Sequence, residues 1–261
     1  MNKRRFSIAS LAVLTVLSMS CGSGSNFNLI SLEEEWQLGN QLAQQIASQV
    51  KFNNDPQVNA YVRDIGQRIV AQTNMANLPW DFHVVEDPAI NAFAIPGGHL
   101  YVNTGLIKNA ENASELASVI AHEASHVVAR HSTEQISRQY GLSVVAGLVL
   151  GQDPNALAQL AAQIVASGAM ARFSREDEAE ADELGQGFMT KAGYDPHGMP
   201  AMFRVLLAHQ QSEPSRVEQF FATHPTTESR IREAEQRADK LAPGGKGITD
   251  EPMFATIRSR V

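Results

Sequence analysis

The chain has 261 residues, a formal charge of −7 and a single cysteine. That length allows one sizeable domain or two small ones. The acidic balance argues against nucleic acid as a partner, because phosphates need a basic surface, and one cysteine excludes an intramolecular disulfide.

Lys3, Arg4 and Arg5 precede a short apolar run from Ile8 to Leu17, and small residues follow around Cys21. This is the pattern of a secretory signal peptide over residues 1–21, too short for a comfortable membrane span. Cys21 at its end is similar to the lipid-attachment cysteine of bacterial lipoproteins, with Ser18 standing where Leu is usual. On that reading residues 22–30 form a flexible tether rich in Gly and Ser. The protein is then exported to the periplasm and held at a membrane by a lipid anchor. No Asp follows the Cys, as in lipoproteins sorted to the outer membrane. The plainer reading is a signal peptide with an incidental Cys.

Ser31 followed by Glu33, Glu34 and Glu35 predicts a capped helix start, running to about Val50. Asp55-Pro56 opens a second helix with Pro in its first turn, and Val58, Tyr61, Val62, Ile65 and Ile69 give it an apolar face. Trp80 to Val85 alternates as a strand does. Asn91 to Ile95 is a second strand, Pro96-Gly97-Gly98 a turn, and His99 to Asn103 a third strand. Together they predict a small antiparallel sheet. Thr104 is positioned to cap a short helix through Leu106 and Ile107.

Asn112, with Glu115 three residues on, starts a helix that holds His122-Glu123-Ala124-Ser125-His126. Residues four apart share a helix face, so His122 and His126 can both point a ring nitrogen at one metal ion. Glu123 projects about 100° from His122, within reach of a water at that metal. This spacing is the signature of zinc proteases. Leu116, Val119, Ile120 and Val127 place Glu123 on an apolar stripe, where an unpaired carboxylate is expensive and needs a purpose.

Thr133–Leu150 and Pro154–Gly168 read as two helical runs forming a hairpin on the core. The uncharged stretch Gly141 to Leu150 has a membrane-dipping or partner-binding loop as its alternative. Helices follow over Ser174–Lys191, from Asp195-Pro196 to about Gln211, and over Thr226–Leu241. Residues 31–242 are thus one protease domain, and 243–261 a loosely structured tail with a possible late strand or extended segment.

A catalytic zinc needs three protein ligands and an open position. Glu178 and Asp182 are four residues apart and share a helix face, with Ala181 and Gly185 on the same side to let that helix come close. Glu180 points about 200° away from Glu178, towards solvent. Glu178 is therefore the expected third ligand, and Asp182 the acceptor for the remaining N–H of a ligating His.

The zinc motif, Phe173-Ser174-Arg175, Glu178-Ala179-Glu180-Ala181-Asp182, Asn91-Ala92-Phe93-Ala94, Pro96-Gly97-Gly98, Gly193-Tyr194-Asp195-Pro196 and Thr223-His224-Pro225 together resemble metallopeptidase family 48. The resemblance runs from about Leu29 to Leu241. It implies an α+β, mostly helical, zincin-like domain with a small sheet beside the metal helix. It also implies one zinc ion per chain held by His122, His126 and Glu178, with Glu123 as general base. Asn91, Ala92, Phe93 and Ala94 match the edge strand on which relatives lay an extended substrate. The position of His224 aids the transition state in some members and blocks the open zinc position in others; its plainer role is capping or packing near Thr226. Two departures matter: this chain lacks the multiple membrane spans of some members and the length for the helical-repeat domain of others. The resemblance therefore points to the small secreted or lipoprotein branch. The implied function is an endopeptidase acting on unfolded or misassembled envelope proteins, and the alternative is a non-catalytic, zinc-stabilised chaperone or adaptor.

Overall fold

The structure is a computed structural model that describes residues 28–139, 159, 161–162, 172–225, 227–243 and 247–261. The residues expected to form the signal peptide, Cys21, most of the expected tether and most of the expected hairpin lie outside the described residues. So does Thr226, and the helix Glu228–Leu241 is capped by Thr227, whose side chain accepts from Arg230 N.

The helix starts form where side-chain acceptors meet free amides. Ser31 and Glu34 make a reciprocal capping box on α1 (Leu32–Ala47). Asp55 caps α2 (Pro56–Val70), with Pro56 in the first turn. The strands are β1 (Asp81–Val85), β2 (Ala92–Ile95) and β3 (His99–Asn103). α3 (Thr104–Asn109) follows at once; Thr104 is its first residue and not its cap, because the Thr104 hydroxyl donates to the Asp87 carbonyl.

The sheet order is β1-β3-β2. β2 and β3 are antiparallel, joined by a turn whose Gly97 and Gly98 have φ of 83° and 90°, a region glycine enters without strain. β1 pairs with β3 in parallel, which corrects the all-antiparallel expectation. The tight turn makes β2 and β3 neighbours, so residues 86–91 must carry the chain past β3 to its far edge. β1 is thereby left alongside β3 and running the same way.

α4 (Ala113–Val128) is buried on every side from Ala113 to Val127, the property of a helix at the centre of a domain. On one sheet face Phe82, Leu100 and Val102 pack with Ile65 and Ile69 of α2 and Leu116 and Ile120 of α4. On the other, Tyr101, Ile95 and Val85 pack with Leu38, Leu42 and Ile46 of α1. Residues 131–139 are helical, and beyond them come α5 (Arg175–Lys191), α6 (Gly198–Ser212), α7 (Pro214–Thr223), α8 (Glu228–Leu241) and α9 (Pro252–Arg258). The tail is not loose as expected. Ile248 bridges Tyr194, and α9 buries Phe254 and Ile257.

Candidate metal centre

The centre is built on α4, α5 and the end of α7. His122 and His126, one turn apart, bring their Nε2 atoms to 3.1 Å. Glu178, in the first turn of α5, reaches in with Oε2 3.6 Å from His122 Nε2 and Oε1 3.5 Å from His126 Nε2. Ser174 sets the start of that helix by a capping box with Asp177. His224 closes the C-terminus of α7, and its Nδ1 lies 2.8 Å from Glu178 Oε1 and 3.3 Å from His122 Nε2. Donor atoms of these four buried side chains all fall within 4.8 Å of one another.

The outer nitrogens are held as well. His122 Nδ1 is 3.0 Å from Asp182 Oδ1. Asp182 takes two bonds from the Arg230 guanidinium, at 2.7 and 2.8 Å. Burial would raise the Asp182 carboxyl, but the facing His122 and Arg230 outweigh it and hold it low. Asp182 thus faces the Nδ1 edge of the His122 ring, which turns Nε2 towards the centre. His126 Nδ1 is 2.9 Å from His131 Nδ1, and His131 Nε2 is 3.4 Å from Glu180 Oε2.

Lone pairs and a carboxylate thus converge where a cation would neutralise them, and the donor set fits a divalent metal of the zinc type. Burial pushes the His126 imidazole well below its usual value, which keeps it neutral and able to ligate. Burial would raise Glu178 too, but His224, His126 and His122 outweigh that and hold it well below the carboxylate range.

Glu123 is 1% exposed, and its carboxylate faces His224 Nε2 at 3.4 Å and the backbone N–H of Ala94. Burial raises its pKa, against the pull of His224 and His122. Asn103 N donates to Asn91 O. Antiparallel alternation then turns the N–H and C=O of Ala92 and Ala94 away from β3, to the outer edge of β2, where the Ala94 N–H meets Glu123. Of the four residues expected on the substrate strand, Ala94 touches the centre, through its N–H to Glu123; Asn91 contacts Gln219 at 3.5 Å, and Phe93 stacks on Tyr101 on the α1 side of the sheet.

Sequence reasoning missed three contributors. Arg230 bonds Asp182 and also lies 2.7 Å from Glu178 Oε2. Phe173 stacks on the His126 ring at 3.9 Å between centroids. His131 contacts His126. A cavity of about 460 Å³ opens onto Glu178 between Phe173, Pro225 and Arg230.

The fold and this cluster define a metalloprotease domain built on a His-Glu-x-x-His helix. Residues 56–238 match Peptidase family M48, and the chain belongs to that family. It is 32% identical over 238 residues to the beta-barrel assembly-enhancing protease of Yersinia pestis, covering 88% of this chain and 49% of the relative. The protein of the same name from Escherichia coli K12 is 32% identical over 238 residues, with 88% and 48% covered. The mitochondrial metalloendopeptidase OMA1 of Schizosaccharomyces pombe is 32% identical over 213 residues, with 80% and 63% covered. The chain spans about half the length of the first two. Among the described residues no helix is long and apolar enough to cross a membrane.

Proposed function

We propose that this protein is a zinc-dependent endopeptidase of the bacterial cell envelope that degrades misfolded or unassembled envelope proteins. One observation carries the reading: a buried Glu123 directly beside converging Nε2 atoms of His122 and His126 and the Glu178 carboxylate. His122, His126 and Glu178 hold the zinc, which when bound polarises the scissile carbonyl and acidifies water. Glu123, with its raised pKa, takes a proton from the attacking water and hands it to the leaving amine nitrogen. The outer edge of β2, through the main chain of Ala92 and the Ala94 carbonyl, aligns an extended substrate by β-addition, with Asn91 and Phe93 flanking it. Relatives are named for enhancing β-barrel assembly, which supports an envelope client. The signal pattern at residues 1–21 supports export, and Cys21 a lipid anchor at the outer membrane.

His224 holds the site shut in this reading. Its Nδ1 sits among the donors, and the whole cluster is nearly inaccessible to solvent. A closed four-donor site is also what a purely structural zinc has, so the four-donor arrangement favours a zinc-stabilised chaperone or adaptor as the second reading.

Glu123→Gln separates the two. It is expected to keep the metal and lower cleavage of an unfolded protein substrate by roughly 10²–10⁴-fold. Cleavage unchanged by this variant and by a chelator would leave the chaperone reading. His224→Ala is expected to stay folded and to raise basal cleavage; unchanged turnover would make it a packing residue.

A further inference from the structure

Asp81, His83 and His99 gather on the face of the sheet that packs towards α1, apart from the centre on α4. Asp81 and His83 are two residues apart on β1 and so share a face. His99 is the register partner of Asp81 on the neighbouring parallel strand β3. The Asp81 carboxylate lies 3.0 Å from His83 Nε2. A donor atom from each residue falls within 4.8 Å of the other two. The His83 ring is set by Phe52 and Tyr101, at 5.1 and 5.0 Å between centroids.

His99 supplies a second, independent observation. It is 9% exposed, and among the described residues nothing hydrogen-bonds either of its ring nitrogens. A buried polar group left unpartnered is costly unless something supplies a partner. Burial also lowers its pKa, against the pull of Asp81, so the ring is neutral and offers a lone pair. Two imidazoles and a carboxylate are a donor set for borderline transition metals, not for calcium or magnesium.

We propose that Asp81, His83 and His99 form a second divalent transition-metal site that clasps β1 to β3. Donors bound to one tetrahedral ion at about 2.1 Å lie about 3.4 Å apart. The donor atoms stand within 4.8 Å of one another, so the partly exposed Asp81 and His83 side chains would close by up to about 1.5 Å to reach that spacing. The coordination is completed by water on the exposed side. The site is independent of the peptidase reading, because none of its three residues touches the α4 centre.

The test counts ions. The full-length chain, stripped of metal and titrated with Zn²⁺ against a chromophoric chelator, is expected to bind two ions. Asp81→Ala, His83→Ala and His99→Phe are each expected to bind one, at the affinity of the tighter site in the parent. His99→Phe removes two unpartnered nitrogens at nearly constant shape, so its metal-free melting temperature is expected not to fall. A parent that binds one ion overturns the proposal. So does a second ion that survives Asp81→Ala or His99→Phe, since that would be capture by a surface histidine alone.

Discussion

At the scale of single residues, the centre depends on a side chain that the zinc motif does not announce. Arg230 is buried and holds both Glu178 and Asp182. Its stem also places the guanidinium 4.7 Å over the Phe203 ring. Replacing it with Met would leave two buried carboxylates without their counter-charge, and breaking a buried pair this way costs about 3–5 kcal/mol. Arg230→Met is therefore expected to lower the melting temperature of the metal-free protein and weaken zinc binding. Arg230→Lys is expected to recover little, because one ammonium cannot match the forked contact. Thermal melts and chelator competition measure both; a wild-type zinc affinity in Arg230→Met would show that Glu178 is placed without it. The reason Arg230 was not legible is physical. His122, Glu123 and His126 declare themselves because their geometry is local to one helix turn. Arg230 sits beside Ile231 on α8 among exposed charges, and only tertiary packing distinguishes it from Arg232. His131 was invisible for the same reason: a histidine just past a helix end has no pattern until its neighbour at 2.9 Å is known.

Between elements, the contact that matters is α4 against α5. Ala181 and Gly185 were readable as a small-residue face, and the structure shows what they permit. A Cβ at Gly185 would lie 3.1 Å from the backbone N of His122 and 3.2 Å from the backbone of Ala121. Alanine there asks the helices to give by a few tenths of an ångström. Valine asks for more, and overpacking of this kind costs about 1–3 kcal/mol. Moving α5 outward also withdraws Glu178 from His122 and His126. Gly185→Val is thus expected to lose zinc affinity by roughly tenfold or more, equivalent to about 1.4 kcal/mol or more, with Gly185→Ala in between; chelator competition ranks the three. Strand positions were legible from alternation, but alternation carries no information about partner direction. The parallel β1–β3 pairing therefore has no signal in the alternation that marks the three strands. The short α7 escaped notice because Val217 and Phe220 are its only buried residues, too few to establish a helical period.

Across the whole molecule, the last fifteen residues act on the metal helix from its far end. Thr249 O accepts from Ser114 N, and the Asp250 carboxylate accepts from Ala113 N. Both amides belong to the first turn of α4, which has no intrahelical acceptors for them. Phe254 and Ile257 enter the main core, and Glu251 pairs with Arg68 of α2 at 2.8 Å. Composition could not reveal this, because Pro243-Gly244-Gly245 reads as an ending and α9 is only seven residues long. Burying each of those two side chains contributes about 1.5–3 kcal/mol, comparable to a large share of a domain's net stability. Deleting residues 247–261 is expected to lower the melting temperature sharply. Yet the deletion removes none of the donors on α4, α5 and α7, and a ligand that binds only the folded state stabilises by mass action. Saturating Zn²⁺ should therefore recover part of the loss in the truncated chain. Replacing His122 with Ala in the same truncated background should cut that recovery to the part supplied by the site between β1 and β3. An unchanged melting temperature on truncation would mean that the amides of α4 find other acceptors and that the segment is an appendage to the domain.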